Sequence, residues 1–565
     1  MAVSTPALRQ SWRFAFLAKR RQSLAMNLIH SRNVFFRAAL LAAGLSLPFA
    51  ARAELKLPAI IGDHMVLQQK QSNPLWGWDT PGTEVKVTLG DQVKTAKAGT
   101  DGKWTVKLDA LPANAEPATI VIEGTSKREL TDVLVGEVWM CSGQSNMGFN
   151  LGSDWKAEVE SLASNHPNLR IISVPQVGTQ ELQNDFNGQW EAANPENVKA
   201  FSAVGFYYGR YLHEILGVPV GLIDNAWGGS AAEAWIRRDT IDKDPRFKTL
   251  TEGWKAREIQ LSSEEAKKAY EVALADWTAK ADEAKATNKP VPRRPNGPEQ
   301  LLSGNARPGN IFAGVVHPTL GYGIKGVIWY QGESNAGRAW EYAELFPFMI
   351  EQWRAEWGQG DFPFYWVQLA DFKAEVDAPG DAQWAELRES QSKTLSLPNT
   401  GEAVIIDIGE ANDIHPKNKL DVAARLVRWA LAKDYGFTNI EPQSPTYLEM
   451  AIEGNKAKLS FDHVGSGLRT FDVNDVRGFA ICGEDHQWVW ADAKITGKDT
   501  IEVWSDAVPA PVAVRYAWAD NPVCNVLSKE GLPMNPFRTD DFRMITDPTP
   551  VPAPAEPAKE APKAP

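Results

Sequence analysis

The sequence predicts an α/β protein in which a parallel sheet is covered by helices and followed and preceded in the chain by β-rich regions. Three observations lead there. Between about 133 and 445, short apolar runs alternate with helix-length amphipathic stretches, the pattern of a parallel sheet buried on both faces. The segments before and after carry short, partly alternating runs separated by turn residues. The chain has 565 residues, too many for one ordinary core.

The first 53 residues carry eight basic side chains and no acidic one. Their apolar stretch, 38–50, ends in Ala51-Arg52-Ala53, a small-x-small pattern before Glu54. This reads as an export signal cleaved near Ala53, with Met26 the natural start of a segment of signal length. The stretch is too short for a stable anchor. A periplasmic or extracellular protein is therefore expected, with no membrane association after cleavage. The remainder holds 51 basic and 71 acidic residues, a net charge of −20. A body so acidic repels phosphate backbones, which argues against nucleic acid as a partner. Export permits disulfides, and of the three cysteines Cys482 and Cys524 could pair, while Cys141 sits in an apolar run as a buried thiol. No cysteine spacing suggests a metal site.

Residues 54–132 are expected to form a small β-domain, with strands around Met65-Val66-Leu67, Leu75-Trp76-Gly77-Trp78 and 85–89, and turns at Pro81-Gly82 and Asp101-Gly102. Residues 133–445 form the α/β domain. Its strands are expected at 133–140, 218–223, 326–330, 364–369 and 403–408, and its helices near 196–216, 338–357, 382–396 and 416–434. Residues 250–300, rich in Lys, Glu and Ala, read as an inserted helical hairpin with a solvated surface. Residues 446–545 return to strand character as a second β-domain. The Pro/Ala-rich tail, 546–565, cannot bury a core and is expected to be disordered.

Ligands of open parallel sheets sit at the carboxyl ends of the strands, so the loops there are where chemistry is expected. The first strand ends in Cys141-Ser142-Gly143-Gln144-Ser145-Asn146-Met147. Glycine permits a tight turn that would present the Ser145 hydroxyl, while Ser142 lies closer to the strand and is expected to be buried. Of the eight histidines, His415 stands at a carboxyl-end loop with a carboxylate beside it, Asp413. Asp413 would orient the ring through Nδ1, leaving Nε2 to take the serine proton; its other reading is as a cap for a helix opened by Pro416. Asp407 and Glu410 are spare acids nearby. Gly228 and Gly229, in Asn225-Ala226-Trp227-Gly228-Gly229-Ser230, could present N–H groups to an oxyanion. Gln331-Gly332-Glu333-Ser334-Asn335 gathers amides and a hydroxyl that could hold a carbonyl oxygen.

The run Gly136-Glu137-Val138-Trp139-Met140-Cys141-Ser142-Gly143-Gln144-Ser145-Asn146-Met147 resembles the nucleophile block of the sialate O-acetylesterases, within the SGNH/GDSL hydrolase superfamily. Trp227-Gly228-Gly229-Ser230 through Glu233-Ala234-Trp235, 329–335, 412–416 and 514–538 resemble that family's later blocks, in order. The resemblance implies an SGNH-type, flavodoxin-like parallel-sheet hydrolase domain flanked by β-sandwich-like domains. It implies that Ser145 is the nucleophile and His415 the base, with the Ser145 amide and that of Gly229 or Gly228 in the oxyanion hole. The superfamily usually supplies an Asn from its third block; here Gln331 is the favoured donor. Its acid usually lies three residues before the histidine, where this chain has Asn412, so Asp413 is the nearest substitute.

The reaction implied is hydrolysis of O-acetyl esters of carbohydrates, foremost sialic acids, through an acetyl-enzyme, with no metal or organic cofactor. Because a histidine base must be neutral, activity is expected to fall below about pH 6. Trp235 and Trp340 follow the catalytic loops and are candidate sugar platforms, with Glu333 and Asn335 as further substrate contacts. An acetylxylan-type or other polysaccharide esterase of the same fold is the first alternative. A non-catalytic sugar-binding surface protein is the second.

Overall fold

A computed structural model of the chain describes residues 54–550. The expected export signal lies outside the described residues, as does the tail from 551. The tail's first residues belong to the folded body. The Thr546 hydroxyl and N–H donate to the Glu386 carboxylate, and the Trp340 N–H donates to Thr546 Oγ1. Proline-rich composition sets the disorder expectation, but a buried carboxylate that needs donors overrides it locally.

The strands in chain order are β1 (Val66–Gln68), β2 (Asn73–Trp78), β3 (Glu84–Leu89), β4 (Gln92–Lys97), β5 (Lys103–Leu108), β6 (Asn114–Glu123) and β7 (Lys127–Gly143). They continue with β8 (His166–Ser173), β9 (Glu191–Ala193), β10 (Val220–Asp224), β11 (Gly326–Tyr330), β12 (Phe364–Val367) and β13 (Thr400–Ala403). The central sheet has the order β13-β12-β11-β7-β10-β8-β9. All neighbours along it are parallel except the edge pair β8 and β9. On one side of β7 the chain runs first to β8 and the edge strand β9 and then returns to β10 beside β7; on the other it winds outward through β11, β12 and β13. The winding direction reverses at β7, so a crevice opens at its carboxyl end.

Successive side chains of β7 point to opposite faces and meet two different cores. Val138 and Met140 join one, with the helices Ala339–Trp357 and Gln383–Lys393. Trp139 and Cys141 join the other, with the helices Ala203–Leu216 and Lys419–Lys433. Burial on both faces explains why the central strands read as unbroken apolar runs.

β7 also crosses the expected boundary at 132/133. Its first half pairs with β6, and Leu134 to Gly136 pair with β1, before its second half enters the parallel sheet. Strands β1, β3, β4 and β6 thus extend the same mixed sheet, β2 and β5 pair separately, and the apolar residues of all of them share the first core. The C-terminal β-region has two four-stranded sheets around a third core, which takes in Val404 and Ile406 just past β13. The insertion is a helical hairpin, Lys248–Leu261 and Glu264–Ala286, largely solvent-facing and tied down where Arg238 and Arg307 both reach Glu258. All three thiols are free, with Cys141 and Cys482 buried, so the Cys482–Cys524 pairing is not formed.

Candidate active site

Ser145 sits on the turn that leaves β7. Gly143 pairs with Tyr330 at the end of β11 and has φ 133°, a region that disfavours side chains. A Cβ there would lie 2.3 Å from the Tyr330 carbonyl oxygen. The turn is closed by the N–H groups of Met147 and Gly148, both donating to the Gln144 carbonyl. Ser142 is buried, and its hydroxyl donates to Asn225 Oδ1 at 2.5 Å. Ser145 is half-buried at the crevice.

β13 ends at Ala403, earlier than the expected strand, and residues 404–418 form an irregular loop. It closes on the helix Lys419–Lys433, capped by Asn418, whose side chain accepts the Asp421 N–H. Pro416 therefore does not open the helix and Asp413 does not cap it. The loop brings His415 Nε2 to 2.8 Å from Ser145 Oγ. Asp413 Oδ1 accepts the His415 backbone N–H at 3.0 Å and stands 3.5 Å from Nδ1. That second separation exceeds a hydrogen bond, and the two side chains are 37% and 43% exposed, so the acid orients the ring weakly. The spare acids are engaged elsewhere. Asp407 pairs with Arg425, and Glu410 accepts the Lys417 N–H.

Gly228 and Gly229 are exposed beside the serine, and a Cβ on Gly228 would lie 3.3 Å from Ser145 Cβ. Among the described residues, the N–H groups of Ser145, Gly228 and Gly229 have no protein acceptor. Behind them the third loop acts as scaffolding. Gln331 is fully buried, and its amide donates to the Ser230 carbonyl and to Asn335 Oδ1 while its oxygen accepts from Tyr342. With both N–H bonds committed, Gln331 is not an oxyanion donor, correcting the expectation. Asn335 accepts the Ala232 N–H and donates to Glu233, and Glu233 pairs with Arg338. These bonds fix the glycine loop from below and leave Asn335 no exposure to substrate. Trp235 is likewise fully buried, its indole donating to Ser230 Oγ, and cannot serve as a sugar platform. Trp340 is exposed. Glu333 is half-buried, with its Oε1 accepting from the Asn146 amide.

Three residues beside the dyad were not singled out from sequence. Asn146 is buried and bonded to both flanking loops. Lys419 is buried against it, its amine pulled down to about 7 by desolvation, with Glu333 and Asp154 opposing. Trp155 is 57% exposed, and its N–H donates to the Lys417 carbonyl two residues beyond His415. A charged residue in the first turn of an amphipathic helix is ordinarily solvated, so pattern alone gave no signal for Lys419. No group of three or more His, Cys, Asp or Glu among the described residues is placed to hold a metal ion.

A serine hydroxyl bonded to a histidine Nε2, with unengaged N–H groups alongside at the carboxyl edge of a parallel sheet, is the arrangement of a serine-dependent hydrolase. Residues 314–422 match the family model described as carbohydrate esterase, sialic acid-specific acetylesterase. The chain is 30% identical over 512 residues to the sialate O-acetylesterase of Mus musculus, covering 83% of this chain and 90% of that protein. It is 28% identical to the Homo sapiens sialate O-acetylesterase, over 85% of this chain and 91% of that one. A solved structure of a novel carbohydrate acetylesterase from Xanthomonas citri superposes with a TM-score of 0.73 and 37% identity, covering 86% of this chain and all of that one. The chain belongs to the sialate O-acetylesterase family.

Proposed function

We propose that this protein is a serine carboxylesterase that removes O-acetyl groups from carbohydrates, sialic acids foremost, with Ser145 as nucleophile and His415 as general base. The observation that carries the reading is the 2.8 Å contact between Ser145 Oγ and His415 Nε2, made between residues 270 positions apart. His415 takes the hydroxyl proton as Ser145 attacks the acetyl carbonyl. The N–H groups of Ser145 and of Gly228 or Gly229 stabilise the oxyanion. The protonated His415 then donates to the departing sugar oxygen, leaving acetyl-Ser145, and a water deprotonated by His415 releases acetate. Asp413 steadies the imidazolium. The strand order about β7 supports an SGNH-type arrangement of the hydrolase region.

Trp155 is the candidate platform in place of buried Trp235, since its side chain is exposed and its backbone N–H donates to the Lys417 carbonyl of the histidine loop. That exposed aromatic favours, as a second reading, a neutral acetylated polysaccharide. Among the described residues no helix is long and apolar enough to cross a membrane. Export with cleavage near Ala53 completes the proposal, and N-terminal sequencing of the processed protein tests it. The function is tested by acetate release from acetylated sialic acid, acetylated xylan and an aryl acetate, with Ser145→Ala as control. Acetate release by Ser145→Ala at the wild-type rate would sink the nucleophile assignment.

A further inference from the structure

We propose that Lys419, Asn146 and Glu333 form a buried brace that positions the serine turn against the histidine loop. The inference rests on Ser145 and His415 being the reacting pair.

Asn146 follows Ser145 in the chain, and its amide touches every part of the brace. Lys419 Nζ lies 2.6 Å from Asn146 Oδ1. Asn146 Nδ2 donates to Glu333 Oε1 at 2.6 Å and to the carbonyl oxygen of Ile414, the residue before His415, at 3.0 Å. These partners fix the amide's orientation. A lysine ammonium only donates, so it must face the amide oxygen. A carboxylate and a carbonyl only accept, so they must face the nitrogen. Both Nδ2 hydrogens are then used, one on each flanking loop. The turn that carries Ser145 is thereby hooked to the peptide that carries His415.

The setting makes the orientation costly to lose. Lys419 is buried between the rings of Phe149 and Tyr330, at 4.9 and 5.1 Å from their centroids. Its backbone N–H is held by Asp154, whose other oxygen accepts from Tyr207. Glu333 Oε2 is buried with no hydrogen-bond partner among the described residues. Burial pulls the lysine amine down and pushes the glutamate carboxyl up, and each group opposes the other's shift. Neither buried charge is well held without its counterpart, and the contact between them runs through Asn146. These three are positioning residues, since none of them is bonded to Ser145 Oγ or to the His415 ring.

The discriminating variant is Asn146→Asp, made in the full chain and assayed on an aryl acetate. It preserves volume and shape, but a carboxylate oxygen replaces the donor facing Glu333 and the Ile414 carbonyl. The brace predicts a fall in kcat of about tenfold or more with KM changed less than about threefold, and an equal slowing of Ser145 labelling by a fluorophosphonate. Lys419→Met is expected to lose kcat similarly, and adding Glu333→Gln to it should recover part of the loss because the stranded charge is removed. A folded Asn146→Asp protein with wild-type kcat and labelling rate would overturn the brace, as would a Lys419→Met/Glu333→Gln protein no better than Lys419→Met. Activity retained by Ser145→Ala would instead overturn the underlying reading. An inactive Ser145→Ala beside an unimpaired Asn146→Asp would overturn the brace alone.

Discussion

At the scale of single residues, the dyad and its acid are expected to differ sharply in weight. Ser145→Ala and His415→Ala should each lower kcat by about 10³-fold or more, and the double variant should lose little beyond either single, because the two act as a unit. Asp413→Asn should cost less than about tenfold, since the acid is exposed and stands 3.5 Å from Nδ1. Steady-state hydrolysis of an aryl acetate checks all of these. Trp155→Ala should raise KM on a polymeric acetylated glycan by about fivefold and leave aryl acetate hydrolysis unchanged, as expected for a lost stacking face. Ser145 and His415 were singled out in the sequence by a strand-end Gly-x-Ser turn and a His beside an acid, read together with the resemblance of several blocks in order, and the fold places them 2.8 Å apart. Gln331 was not, because a residue pattern does not reveal whether an amide in a turn faces the crevice or the scaffold.

At the scale of elements, the hinge of the site is the end of β7. Gly143→Ala places a Cβ 2.3 Å from the Tyr330 oxygen at a φ of 133°. It should destabilise the protein by about 2–4 kcal/mol in denaturant unfolding and depress kcat through the displaced serine. The contrasting change is Gly253→Ala in the exposed helix Lys248–Leu261, where a Cβ meets nothing within 4 Å. It should stabilise by about 0.5–1 kcal/mol, since glycine is the poorer helix former. Most elements could be read from periodicity, including the helical hairpin, but their ends moved. The final helix starts at Lys419 because the Asn418 side chain captures the Asp421 N–H, a cap that outcompetes the proline two residues before it.

At the scale of the molecule, the N-terminal strands and the hydrolase region are one structure, joined by a strand that serves both. A chain beginning at residue 133 would lose the first part of β7 and the partners that share the first core. It should fail to fold, and circular dichroism of the truncated protein checks this. The buried ionisable groups also give the whole molecule a pH signature. Burial raises Glu402 to about 7, while Ser392 and Trp366 donate to its carboxylate. The folded state holds that proton more tightly than the unfolded one, so this stabilisation is complete below about pH 4.5 and is lost as pH rises through about 7. Lys419 has the opposite sense. Its lowered value means the unfolded chain binds the extra proton between about 7 and 10.5, so its contribution to stability rises with pH there. Melting curves against pH should flatten between 4.5 and 7.5 for Glu402→Gln, and above 7 for Lys419→Met.

The sequence by itself determined the alternation of strands and helices and the tight glycine turn at the end of the first parallel strand. Those features follow from local rules: burial on both faces makes a strand apolar throughout, and a tight turn needs glycine. The tertiary structure decided which side chains face substrate and which hold the loops apart. Trp235, Gln331 and Asn335 turned inward and Trp155 outward, because orientation is set by the partners each group finds across the fold. Hydrogen-bond demand in a buried space is satisfied by residues a hundred or more positions away, as Asn335 is by Ala232 and Asn146 by Ile414. No local pattern carries that information.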